Sequence, residues 1–192
     1  MREEIKKILI EIGEDINREG IKETPTRIER LFNNFFTYNK KLKLVNEYER
    51  NNSKFDSNTI PITYFNGKID NLIVKKGVFV SFCEHHLVPF FGEYYFAYLP
   101  SDKIVGLSKI DEVVKYFAGR LQLQERLGEE IVEWFYQNLK PKFVMIVLKA
   151  KHLCELLTTG KYGEFTTSAI RGDLRIKDEA LKLMFEKGGG IG

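Results

Sequence analysis

Apolar residues recur at Ile5, Ile8, Leu9, Ile12 and Ile16, three or four positions apart, and predict an amphipathic helix ending near Gly20. Thr24-Pro25 reads as a second helix start, with Thr as N-cap and Pro at the first helical position. Ile28, Leu31, Phe32, Phe35 and Phe36 then line one face to about Thr37, and Arg27 stands on the first turn. Residues 39–58 are polar, rich in Asn and Lys, and lack periodicity, which predicts a connection or insertion. Strand signals begin at Ile60–Tyr64 and break at Asn66-Gly67, a dipeptide that suits a hairpin turn. A long extended run, Asn71–Phe82, delivers the chain to Cys83, and Phe90–Leu99 predicts its antiparallel partner.

Beyond that pair, Ser108 can cap a helix with Asp111 on its first turn and an apolar stripe of Ile110, Val113, Val114 and Phe117. Gly119 marks a break. Leu127, Ile131, Trp134 and Phe135 predict a further helix from about Gln122 to Leu139, stopped by Lys140-Pro141. Phe143–Leu148 reads as an interior strand running toward His152 and Cys154, Thr166-Thr167-Ser168 as a short extended piece, and Asp178–Phe185 as a last helix. Gly188–Gly192 is expected to fray. The order implies an α+β fold with helices packed on one face of an antiparallel sheet. The expected division is an N-terminal helical region and connection over 1–58, a catalytic domain over 59–187 and a tail over 188–192.

A chain of 192 residues with 43% hydrophobic content can bury a single core. Its 15 Phe and 9 Tyr exceed what one small core needs and suggest a subunit interface. A net charge of +3 gives no argument for nucleic acid. No apolar run is long enough to span a membrane, and the start is amphipathic, so a cytoplasmic protein with reduced thiols is the expectation.

Chemistry concentrates in two places. All 3 His and both of the 2 Cys fall in Cys83-Glu84-His85-His86 and His152-Leu153-Cys154. Thiolate and imidazole are the donors that Zn²⁺ prefers, and a catalytic zinc keeps one position open for water. A Cys83–Cys154 disulfide, or thiols that bind nothing, are the other readings of the same residues.

With Glu23-Thr24-Pro25-Thr26-Arg27, Gly106-Leu107-Ser108-Lys109, Gln122-Leu123-Gln124-Glu125-Arg126-Leu127 and Thr166-Thr167-Ser168, these motifs resemble the GTP cyclohydrolase I family from Glu23 to about Gly172. The resemblance implies a tunnelling fold (T-fold), whose sheets close into a barrel across subunits, and a toroidal homodecamer with interfacial active sites. It implies opening of the guanine imidazole ring of GTP, release of C8 as formate and formation of 7,8-dihydroneopterin triphosphate, a step of pterin and folate biosynthesis. By motif, Cys83, His86 and Cys154 would hold zinc, and His85 and His152 would be the acid–base pair. Divalent iron can occupy such a site as well. Glu125 would receive the guanine N1–H and 2-amino group, assisted by Gln124, with Ser108 near the ribose and Lys109 and Arg27 toward the phosphates. Glu84 would orient a histidine or meet a neighbouring subunit.

The chain departs from the family at the triphosphate end. The arginine usual three positions after the lysine is Glu112 here, and Thr158-Thr159 stands where an Arg-Gly is usual. Neither residue substitutes for a bidentate guanidinium. Arg171, beside Thr-Thr-Ser, is the candidate replacement. Two alternatives to GTP turnover therefore stand: the same chemistry on a less phosphorylated guanosine derivative, and a non-catalytic zinc-containing binding protein.

Overall fold

Residues 1–36, 43–46, 59–161 and 163–185 are described in the computed structural model. In chain order, the first part is α1 (Arg2–Glu11), α2 (Glu19–Lys22), α3 (Thr24–Phe35), β1 (Lys43–Asn46), β2 (Thr59–Ile62) and β3 (Tyr64–Asn66). The long strands β4 (Ile73–Cys83) and β5 (Pro89–Leu99) follow, then β6 (Lys103–Val105), α4 (Leu107–Ala118) and β7 (Leu121–Gln122). The last part is α5 (Gln124–Leu139), β8 (Phe143–His152), α6 (Leu153–Thr159), β9 (Phe165–Gly172) and α7 (Lys177–Phe185).

The main sheet has the order β7-β4-β5-β8-β9. Its four long strands are antiparallel neighbours, and β7 lies parallel beside the last residues of β4. Alternation along β8 decides what each face meets. Val144, Ile146, Leu148 and Ala150 point into the larger core, with Ile110, Val113 and Val114 of α4 and Leu127, Ile131 and Phe135 of α5. Each fully buried Val, Leu, Ile or Phe among them stabilises the layer by about 1.5–3 kcal/mol. Phe143, Met145 and Val147 point to the opposite face and pack with Ala180 and Met184 of α7. The two long helices thus share one face as expected, and α7 covers part of the other.

Close strand approach has a specific cause. A Cβ added at Gly92 of β5 would lie 1.9 Å from the Lys149 carbonyl oxygen of β8, so only glycine fits beside that strand. The pairing sets Phe90 opposite His152, which fixes where the site forms.

Four expectations are corrected. The first helix ends at Glu11, and Gly13 turns the chain with φ +86°; Ile5 and Leu9 are buried, while Ile8 and Ile12 are exposed. Glu23, not Thr24, is the N-cap of α3, and Pro25 sits within its first turn. Asn66-Gly67 closes no local hairpin, because β3 pairs with β6 and Gly67 N–H donates to Asp102 O at 3.0 Å. Gly106, not Ser108, is the N-cap of α4. Within the predicted connection, β1 pairs in parallel with β2. The expected helix end at Thr37 and the frayed tail lie outside the described residues. No helix among the described residues is long and apolar enough to cross a membrane.

Candidate metal and substrate site

Strand β4 delivers Cys83 to a tight turn. Cys83 N–H donates to Val88 O at 2.9 Å, and Leu87 N–H donates to Cys83 O at 3.0 Å. Closing it places Leu87 at φ 56°, a left-handed conformation that costs a residue with a side chain about 1–2 kcal/mol. Pro89, which has no N–H to offer, begins the return strand β5.

Because β8 runs antiparallel to β5, His152 arrives at the same end of the sheet as Cys83, and α6 puts Cys154 in its first turn. The donor atoms of Cys83, His152 and Cys154 all lie within 4.8 Å of one another. His85 and His86 each bring Nδ1 to 3.8 Å from Cys83 Sγ. Both cysteines are free thiols, Cys83 buried and Cys154 half-buried, so the disulfide reading is not realised.

His152 is the most constrained of the three imidazoles. Its ring stacks on Phe90, with centroids 4.6 Å apart and planes 3° apart, and meets the edge of Phe165 at 6.0 Å. Its Nε2 lies 2.9 Å from Gln124 Oε1. The Gln124 amide nitrogen donates to Leu148 O at 3.0 Å and Phe165 O at 2.9 Å, so the amide oxygen must be the acceptor. The bonding pattern therefore assigns the proton to His152 Nε2 and leaves Nδ1 with a lone pair. Burial holds the His152 pKa below its ordinary value, opposed by the carboxylates of Glu125 and Glu155. The ring is neutral near pH 7.

The donor set fits a thiophilic divalent cation. Burial and then the neighbouring Cys83 push the Cys154 thiol up, because two adjacent thiolates repel in a poorly solvated site. A cation between them removes that repulsion, and Cys sulfur with His nitrogen is the set that suits zinc or ferrous iron. Glu125 lies in the first turn of α5, where the free amides of the helix favour a carboxylate, and its charge reaches His152.

The remaining sequence candidates are distributed unevenly. Gln124 is 1% exposed and its side-chain amide is bonded to Leu148 O, Phe165 O and His152, so it ties the site together. Arg27 is exposed on α3, whose Phe32, Phe35 and Phe36 pack on Phe82 beside Cys83. Ser108 and Lys109 lie at the start of α4, while the far end of that helix accepts from Ser81 Oγ at Ala118 O, 2.8 Å. Ten and nine helical positions respectively separate them from that anchor, about 14–15 Å. Arg171 pairs with Val144, eight residues from His152, or about 26 Å along the strand. It binds Glu129 at 2.7 Å and Glu133 at 3.0 Å. Within one copy, then, the metal donors, His85 and Glu125 share one end of the sheet, and Ser108, Lys109 and Arg171 do not.

Phe90 and Phe165, which fix the His152 ring, were missed by sequence reasoning. Phe90 is one buried aromatic among many and Phe165 is 49% exposed, and nothing in their spacing singles them out.

A profile described as GTP cyclohydrolase I matches residues 1–187. A protein named GTP cyclohydrolase 1 from Aquifex aeolicus is 40% identical over 191 residues, covering 96% of this chain and 95% of that one. One of the same name from a Hydrogenobaculum species is 41% identical over 188 residues, covering 95% and 94%. Among solved structures, an archaeosine synthase QueF-Like in the apo form matches 55% of this chain and 98% of that one, with a TM-score of 0.48 and 20% identity.

Proposed function

The chain belongs to the GTP cyclohydrolase I family, and from that premise we propose that it opens the guanine imidazole ring of GTP in a zinc-dependent reaction, releasing formate and giving 7,8-dihydroneopterin triphosphate. The observation that supports it most is the meeting of Cys83, Cys154 and the three histidines at one end of the sheet, with Glu125 beside them.

In this reading Cys83, His86 and Cys154 hold the ion. When bound there, the ion would supply Lewis-acid activation of the water needed at C8 of guanine. The chain's own residues do the rest. Glu125 receives N1–H and the 2-amino group through two parallel charge-assisted bonds, a pattern that adenine cannot offer. His85 and His152 exchange protons with the opening ring. His152 acts as the acceptor, because its own proton is committed to Gln124 and its Nδ1 is free. Phe90 and Phe165 keep that lone pair aimed in one direction.

A second copy is needed to complete the tail end. Ser108 and Lys109 stand at the end of α4 away from its Ala118 anchor beside Ser81, so in this reading they serve the site of a neighbour. The sheet edges support assembly. β7 covers β4 only at Phe82 and Cys83, and Val78 on the uncovered stretch is 80% exposed. Pairing such an edge with β9 of another copy extends the sheet, and repetition around a ring gives the decamer that the family resemblance implies. A soluble cytoplasmic location follows as part of the same reading.

The test is to load the protein with zinc, offer GTP, GDP, GMP and guanosine separately, and follow formate and product mass. Formate from GTP with dihydroneopterin triphosphate as product supports the proposal. Formate only from GMP or guanosine would shift the substrate to a less phosphorylated guanosine. No formate from any of the four would leave a binding protein.

A side prediction concerns Lys109, whose Nζ lies 2.9 and 3.0 Å from the two Glu112 oxygens. An incoming phosphate must compete with that carboxylate. Glu112→Gln is expected to lower KM for GTP by about threefold or more, and to do so less at high salt. An unchanged KM would show that Lys109 does not meet the phosphates.

A further inference from the structure

Glu84 stands inside the Cys-x-x-His turn, and the structure ties it to the helix that carries Gln124 and Glu125. Its backbone N–H donates to Gln122 O at 3.1 Å, and its carboxylate accepts from Arg126 Nη2. Arg126 also donates from Nε to Gln122 Oε1 at 2.8 Å and from Nη2 to Leu121 O at 3.3 Å. Gln122 is fully buried, and its amide nitrogen donates to Phe117 O at 3.0 Å and Glu130 Oε2 at 2.8 Å. The guanidinium is thus braced by a side chain that cannot move without breaking two further bonds. It holds Glu84 below the ordinary carboxylate range, mainly through their hydrogen bond.

We propose that Arg126 is a positioning residue, which by gripping Glu84 sets the distance between the His85–His86 turn and the first turn of α5. Three consecutive residues divide the work. Gln124 fixes the His152 ring, Glu125 faces the substrate, and Arg126 fixes the turn that carries His85 and His86. The inference rests on the reading above that His86 holds the ion and Glu125 the base.

Two physical points make this more than a surface ion pair. Arg126 and Glu84 side chains are 37% and 32% exposed, and pairs so open to solvent add little to stability. What such a pair can supply is geometry, since residues that orient a metal ligand typically change metal affinity or activity by about tenfold to a hundredfold when lost. Lysine cannot replace it, because one ammonium cannot reach Glu84, Gln122 Oε1 and Leu121 O in the fixed directions of a planar fork.

The experiment uses the full-length protein with Arg126→Met, Arg126→Lys, Glu84→Gln and the double variant Glu84→Gln/Arg126→Met. Zinc affinity is read by competition with a coloured chelator, thermal melting is read on the metal-free protein, and kcat and KM for GTP are read on the loaded one. Arg126→Met is expected to weaken zinc binding about tenfold or more, with the metal-free melting temperature shifted by no more than a few degrees. Arg126→Lys should recover little of that affinity, and the double variant should be no worse than Arg126→Met alone, since both changes remove one strut. Zinc affinity unchanged in Arg126→Met, or losses that add in the double variant, would overturn the proposal. Should Arg126→Met not fold, Glu84→Gln carries the same zinc prediction. The zinc titration decides the role of Arg126 even if no guanine nucleotide releases formate, an outcome that would count against the cyclohydrolase reading alone.

Discussion

Alanine at Cys154 or His86 is expected to leave a folded protein without bound zinc, whereas alanine at His152 is expected to leave zinc in place and slow turnover sharply. The distinction matters because the donor atoms of Cys83, His152 and Cys154 are the set mutually within 4.8 Å, while the motif resemblance assigns His86 and not His152 to the ion. The ring environment argues for the resemblance. His152 is stacked flat on Phe90 and pinned through Nε2, so its ring keeps one orientation, which in the proposed reading serves a proton acceptor at Nδ1. His86 sits on the turn after Cys83 with Nδ1 at 3.8 Å from the sulfur, a small displacement from sharing a metal with it. Losing a ligand should lower formate release by about a thousandfold or more, and losing the proton acceptor by about a hundredfold to ten-thousandfold. Metal content by mass spectrometry on each variant decides the matter. Zinc retained in His86→Ala and lost in His152→Ala would exchange the two roles.

Gln124→Leu is the second large effect. Leucine is apolar, and it deletes three hydrogen bonds at once, one buried and two partly buried. Leu148 O, Phe165 O and the His152 Nε2–H each lose the Gln124 side chain as a partner. Stranded buried polar groups cost about 1–3 kcal/mol apiece, and partial relaxation should leave a loss of about 2–4 kcal/mol. Activity should fall further than stability, because His152 no longer has a fixed tautomer. Gln124→Glu sharpens the test. It keeps an acceptor for Nε2–H but turns oxygen toward two carbonyl oxygens, so it should be destabilising as well. Urea unfolding of the metal-free protein together with formate release separates the effects. A Gln124→Leu protein that unfolds at the same urea concentration and turns over within twofold would refute the role assigned to Gln124.

Much of this arrangement was legible in the sequence, and the unread parts have a common cause. The apolar stripes of α4 and α5 and the extended runs of β4, β5 and β8 show as local periodicities, and the packed cores follow them. The metal donors stood out because three histidines and two cysteines occupy two short motifs in a chain with no others. What the sequence left unread were spatial neighbours that differ from neighbours along the chain. Asn66-Gly67 looked like a local hairpin, but its strand pairs with residues nearly forty positions later. Arg171 follows Thr-Thr-Ser closely, yet an extended strand carries it along the sheet to Glu129 and Glu133. Gln124 resembled a substrate contact, and only the approach of β8 and β9 shows where its amide points. A residue's neighbours in β structure are set by register, which local pattern does not specify.

The separation of Lys109 from the metal donors of its own chain has a genetic consequence. If each working site draws its metal half from one copy and its tail half from another, two defective alleles need not add up to a defective cell. A Cys154→Ala chain still carries an intact α4, and a Lys109→Met chain still carries intact thiols. Co-expressed, they would form mixed rings in which some boundaries unite two good halves, and activity would return where neither allele alone supports it. Two alleles damaged at the same end of the sheet, such as Cys83→Ala with Cys154→Ala, would never complement. Selection on such an enzyme therefore acts on pairs of surfaces, and a tolerated change in one half can be masked by its neighbour.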